Sequence, residues 1–145
     1  MAQASKMQRI GSADLDLLAH ADPRLADSPA HRQHIADLLG AGLSWVMEVG
    51  GRTAGFAVVT RHFFGFPFVD LLLVAEEARR GGVGLALMDH CERSHDADRI
   101  FTSTNESNAP MRRLLAKADW SVSGVIENLD PGDPELVFVK FRDPA

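Results

Sequence analysis

The chain contains no tyrosine and only one cysteine, Cys91, and aromatic residues make up just 7% of its 145 residues. A single thiol excludes an internal disulfide and a cysteine-rich zinc site, and it fits a reducing compartment. Long apolar runs are missing too. The longest, around Phe68–Ala75, is far too short to span a bilayer and is interrupted by Asp70. Residues Met1–Ile10 are polar and lack the apolar centre of a signal peptide. The expectation is a cytoplasmic protein without a membrane partner. Positive charge is in short supply, with 15 Lys and Arg against 20 Asp and Glu and a net charge of −5. That balance argues against nucleic acid as a partner, so any anion must be held by a local arrangement. His62, His90 and His95 share no metal-ligand spacing, and His31 and His34 read as solvated residues of a polar helix. No metal is expected.

What is present is an ordinary globular composition, 46% apolar and 24% charged, with length for one domain over residues 1–145. Lys6–Ile10 reads as a first strand. Ser12, with Asp14 in the following turn, starts a helix, and Asp22–Pro29 reads as a loop. A second helix covers Ala30–Leu39 with Gly40 as its stop. Ser44–Val49 and Thr53–Thr60 are strands joined by Gly50-Gly51, a hairpin signal. Phe68–Val74 is a strand, Val83–Ser94 a helix, Arg99–Ser103 a strand and Ala109–Lys117 a helix. Trp120–Glu127 and Glu135–Phe141 are terminal strands. The order β-α-α-β-β-β-α-β-α-β-β predicts an α/β fold with a mixed sheet flanked by helices.

The segment Val74 to Leu87, V-A-E-E-A-R-R-G-G-V-G-L-A-L, carries the chemistry. A strand enters a loop with three glycines among four residues, and a helix follows. Strand, glycine-rich turn and helix N-terminus in that order make an anion site, because glycines allow close backbone approach and convergent N–H groups. The helix dipole, Arg79 and Arg80 add positive potential. Leu85-Ala86 stands where a P-loop needs Lys-Ser/Thr. Leu87 stands where a dinucleotide fingerprint needs a small residue. A purely structural turn is the remaining alternative.

Arg79-x-x-Gly82-x-Gly84, with Val74 five residues upstream, resembles the acetyl-CoA motif of the GNAT (Gcn5-related N-acetyltransferase) superfamily. Asn108-x-x-Met111-Arg112-x-Leu114-Leu115-x-Lys117-x-Asp119-Trp120 resembles its second motif, N-x-x-A-x-x-L-Y-x-K-x-G-F, with Met111, Leu115 and Asp119 departing from it. The resemblance implies a GNAT-like sheet splayed between the fourth and fifth strands, with acetyl-CoA as co-substrate. Backbone amides of Arg80, Gly81, Gly82, Val83, Gly84 and Leu85 would hold the pyrophosphate. Leu72, Leu73 and Val74 would pair with the pantetheine arm as an added strand, and the Val74 amide would polarise the thioester carbonyl. Asn108 would reach the pantetheine, with Met111, Leu115 and Lys117 on the same helix. Arg112, Arg113 and Lys117 would meet the 3′-phosphate or form a solvated face.

An alkylammonium with a pKa of about 10.4 must lose a proton before it attacks a thioester. Asp70, four residues before Val74, is the candidate base; the other reading has it leave the sheet and pair with an arginine. Period-two alternation puts Phe68, Asp70 and Leu72 on one face and Val69, Leu71 and Leu73 on the other. The family's usual acid, a tyrosine, falls at Leu115. A thiol with a pKa near 8.5 leaves without one; water, Ser103 or Thr104 are the remaining donors. Four of the eight phenylalanines lie in Phe63-Phe64-Gly65-Phe66-Pro67-Phe68. This run reads as a packed hairpin, an acceptor wall or a homodimer contact. Cys91 reads as a packed residue. The function read is acetyl transfer from acetyl-CoA to a primary amine of a small molecule or protein. The alternatives are a CoA-binding sensor and an unrelated nucleotide-binding domain.

Overall fold

A computed structural model describes residues 4–142. Its seven strands form one mixed sheet in the order β1-β2-β3-β4-β5-β7-β6. They are β1 Ser5–Ile10, β2 Leu43–Val49, β3 Arg52–Phe63, β4 Phe66–Val74, β5 Arg99–Asn105, β6 Ser121–Ile126 and β7 Glu135–Phe141. The helices are α1 Arg24–Asp27, α2 Pro29–Ala41, α3 Val83–Arg93 and α4 Ala109–Lys117. The element order follows the sequence pattern, and two local expectations are corrected. The first helix is a 3-10 turn over Ser12–Leu18, capped at Gly11 rather than Ser12, because Asp14 folds back to accept the Gly11 N–H at 2.9 Å. Within the expected loop, Pro23 starts the single turn α1.

Gly40 does not stop α2. The helix runs to Ala41 and ends at Gly42, where a Cβ would lie 2.1 Å from the Val59 carbonyl oxygen. Close approach to β3, not the local signal, fixes that end. The Gly50-Gly51 hairpin is as expected, with φ of 60° and 79° in a two-residue loop. A second tight turn at Phe64-Gly65, φ 54° and 82°, joins β3 to β4. The phenylalanine-rich run is therefore a hairpin, and only Phe64 at its tip is fully in solvent, 86% exposed.

Helices cover the sheet unequally. On one face α3 and α4 bury Val83, Leu87, Met88, Cys91 and Leu115 against Ala57, Val59, Val69, Ile100 and Phe138. On the other, the 3-10 turn, α1 and α2 bury Leu18, Leu25, Ile35 and Leu39 against Ile10, Val46, Phe56 and Val58. That second core draws its strand residues from β1 to β4 alone. No helix among the described residues is long and apolar enough to cross a membrane.

Candidate active site

β4 and β5 run parallel and pair at only two positions, Phe68↔Phe101 and Val69↔Thr102. Beyond that rung they diverge, leaving a V-shaped opening bounded by Leu71–Val74 and Ser103–Asn105. The Thr102 hydroxyl donates to the Val69 carbonyl at 2.9 Å and closes its floor. On the other edge of β4, the Ala75 N–H donates to the Ala54 carbonyl of β3 at 2.7 Å. The alternation of an antiparallel ladder then turns the N–H groups of Leu72 and Val74 away from β3, towards the opening, and that of Leu73 towards β3.

The glycine-rich loop stands at the top of this opening. Arg80 and Gly82 adopt left-handed φ of 72° and 81°. For arginine that conformation costs on the order of 1 kcal/mol or more. Gly82 caps α3, whose first backbone bond is Ala86 N–H to the Gly82 carbonyl at 3.0 Å. The N–H groups of Val83, Gly84 and Leu85 belong to the first turn and have no intrahelical acceptor. Arg79 and Arg80 are exposed, and neither forms an ion pair among the described residues. Space above Gly82 is open, with nothing within 4 Å of a built Cβ. Orphan amides, open space and two uncommitted guanidinium groups fit a pyrophosphate.

Gly84 has a different reason from the phosphate approach. It is buried, and a Cβ there would lie 2.7 Å from Leu114 Cδ1, 3.6 Å from Val74 Cγ2 and 3.9 Å from Leu72 Cδ2. The glycine lets α3 sit against α4 and the upper end of β4. Asn108 caps α4, its side-chain oxygen accepting the Met111 N–H at 3.2 Å, which leaves its amide nitrogen to reach a ligand. Lys117 is exposed and Met111 half-buried. Leu115 is fully buried; its side chain is a packing group of the α3-side core, not a surface offered to a ligand.

Alternation along β4 fails at Asp70. Val58 pairs with Leu71 and Val59 with Val69, so Asp70 is an extra residue in a bulge. Leu72 and Val74 consequently pack with Val69 on the α3 side, while Leu71 and Leu73 pack on the α2 side. The expected grouping of Leu72 with Asp70 is corrected. Asp70 accepts a hydrogen bond from the Thr60 hydroxyl. Thr60 alternates with Phe56 and Val58, so the carboxylate lies on the face opposite α3. Among the described residues no arginine pairs with it.

Ser103, on β5 one residue beyond the last rung, shares that face. Its hydroxyl donates to Glu135 Oε2 of β7 at 2.7 Å. The Thr104 side chain is buried. Glu135 and Thr60 are functional candidates that sequence reasoning missed. Below the rung, Phe63, Phe66, Phe68 and Phe101 pack with ring centroids 5.0–5.6 Å apart. His31 is not solvated as expected: it binds Asp22 at 2.6 Å, and both side chains are nearly inaccessible. Burial pushes the Cys91 thiol up to about 12, which suits a packed residue.

The decisive comparison is with family models. That of the acetyltransferase (GNAT) family matches residues 13–120. The chain belongs to the GNAT family. As a GNAT acetyltransferase it matches the family's domain along about three quarters of its length, and the sheet opening and the loop at α3 both lie inside that match. Among solved structures it is similar to a GNAT acetyltransferase from Bacillus cereus, with 27% identity, a TM-score of 0.85 and coverage of 97% of this chain and 99% of the other. The ribosomal-protein-S18-alanine N-acetyltransferase of Escherichia coli shares the fold at 18% identity, with a TM-score of 0.81 over 98% and 96% of the two chains. An Elizabethkingia anophelis GNAT acetyltransferase with acetyl-CoA bound shares it at 16% identity, with a TM-score of 0.75 over 95% and 98%. No curated protein sequence matches the chain.

Proposed function

We propose that this GNAT acetyltransferase transfers an acetyl group from acetyl-CoA to a primary amine by direct attack of the amine on the thioester. The observation that carries the reading is the loss of β4–β5 pairing beyond Val69↔Thr102, which leaves the outward-turned amides of Leu72 and Val74 on the strand that leads into the free amides of the α3 N-terminus. Anionic phosphates suit the helix end, where helix dipole, Arg79 and Arg80 combine. An extended pantetheine arm suits the strand, since it carries amides able to pair with a strand edge. The Val74 N–H, fixed in a rigid sheet, meets the charge that grows on the thioester oxygen. Asp70 removes the amine proton from the opposite face. Departure of the thiolate needs no side-chain acid, which accommodates a chain without tyrosine.

Acetyl-CoA should raise the melting temperature well above what ATP or NAD achieves, because a ligand of the native state stabilises by mass action. Acceptor-dependent thiol release should then follow across a series of amines. A thermal shift without thiol release from any amine would defeat the enzymatic part of the proposal.

A further inference from the structure

Two carboxylates stand beside the opening on the face opposite α3, and among the described residues neither is paired with a cation. Asp70 stands on β4 and Glu135 on β7, with Ser103 of β5 between them in strand order. Both acids are half-buried. A partly desolvated carboxylate without a countercharge is costly unless a ligand brings one. The Ser103 hydroxyl already spends its only proton on Glu135. Its remaining lone pairs are left to accept, and it is barred from donating to a departing thiolate while that bond lasts.

Resting on the acyl-transfer reading, we infer that Ser103 and Glu135 form an amine-positioning pair that selects alkylammonium acceptors, which are charged on arrival, over neutral arylamines. Glu135 acts through Ser103. It draws the cation to the opening and holds the hydroxyl with its lone pairs outward, so that Ser103 Oγ accepts one N–H of the incoming nitrogen. Asp70, on the other arm of the V, takes a second proton. The nitrogen lone pair so released forms the N–C bond to the acyl carbon, the C–S bond breaks, and sulfur leaves with its electron pair. The proton on Asp70 then passes to solvent or to the thiolate, and the remaining excess proton on nitrogen is lost to solvent, leaving a neutral amide.

The test compares an aliphatic primary amine with an aniline that is neutral at the assay pH, in wild type, Ser103→Ala, Glu135→Gln and Glu135→Asp. Thiol release gives kcat and KM, and acetyl-CoA binding is measured separately. Glu135→Gln should raise the KM for the alkylamine about 10- to 100-fold, the range of a hydrogen bond to a charged group. It should raise the aniline KM far less, by no more than Ser103→Ala does, and leave acetyl-CoA affinity unchanged. Ser103→Ala should raise the KM for both amines, and Glu135→Asp should recover part of the alkylamine preference. Equal KM changes for both amines in Glu135→Gln, or none, would overturn the inference while leaving acyl transfer intact. Wild-type protein that binds acetyl-CoA yet acetylates neither amine would overturn both.

Discussion

At Asp70 the fourth strand carries one residue more than β3 has partners for, and that surplus aims the carboxylate. Without the bulge, Asp70 would share a face with Leu72, beneath α3, where a charge has no reason to be. With it, the side chain meets Thr60 on the face opposite α3. Asp70→Asn should therefore lower turnover by about 10²–10⁴-fold while acetyl-CoA affinity holds. Turnover close to the wild-type rate would retire Asp70 as base. A carboxylate on an apolar strand was legible in the sequence. The bulge was not, because it is a mismatch of count between two strands and appears only when their register is set. Glu135 escaped for a related reason, since its link to Ser103 runs between strands 32 residues apart.

The element proposed to hold the phosphates is α3, and it is fixed from beneath by neutral groups. Cys91 is buried with its thiol pushed up to about 12. His90 packs edge-on against Trp45 with ring centroids 4.2 Å apart. Burial first, and Arg93 second, hold the His90 imidazole below its ordinary value against the opposing pull of Asp89. The folded protein thus keeps His90 neutral at a pH where the unfolded chain protonates it. Its contribution is complete above the ordinary histidine pKa, about 6.5, and is lost as pH falls through the lower folded value. Melting temperature should drop from pH 7.5 to 5.5 in wild type and drop less in His90→Leu; equal slopes would assign the effect elsewhere. An alkylating reagent at pH 8 should leave Cys91 unmodified until the protein is unfolded, since the thiolate is the reactive form, and rapid labelling of native protein would contradict the burial. The starts of α3 and α4 at Val83 and Ala109 were readable from the sequence, while α3 ends at Arg93, one residue short of the expected Ser94, which caps it. Leu115 was readable as a departure but not as a buried one. Its truncation to alanine should cost about 2–5 kcal/mol through packing alone.

Across the whole molecule, the sheet is continuous at one end and parted at the other. The element order was legible from periodicity and turn residues, and the splay entered only through resemblance. The place of β7 between β5 and β6 had no local signal, since strand order is a matter of long-range pairing. Parting has a measurable signature in hydrogen exchange. The amides of Leu72 and Val74, turned into the opening, should exchange fast in the free protein and slow markedly with acetyl-CoA, while Leu73, bonded to β3, should be slow in both. Uniform protection of all three would mean that the two arms are closed in solution. The last rung, clamped by the Thr102 hydroxyl, has a further consequence. From Val74 down to Val69 the opening is five residues deep, roughly 16 Å at the usual rise of a strand. Because Thr102 ties the two arms together at that point, this depth is a fixed gauge. On the proposed reading the pantetheine arm takes the upper part of this depth and only the remainder above the rung is left to the acyl group, so a Thr102→Val variant, freed of that tie, is where tolerance for longer acyl chains should first emerge.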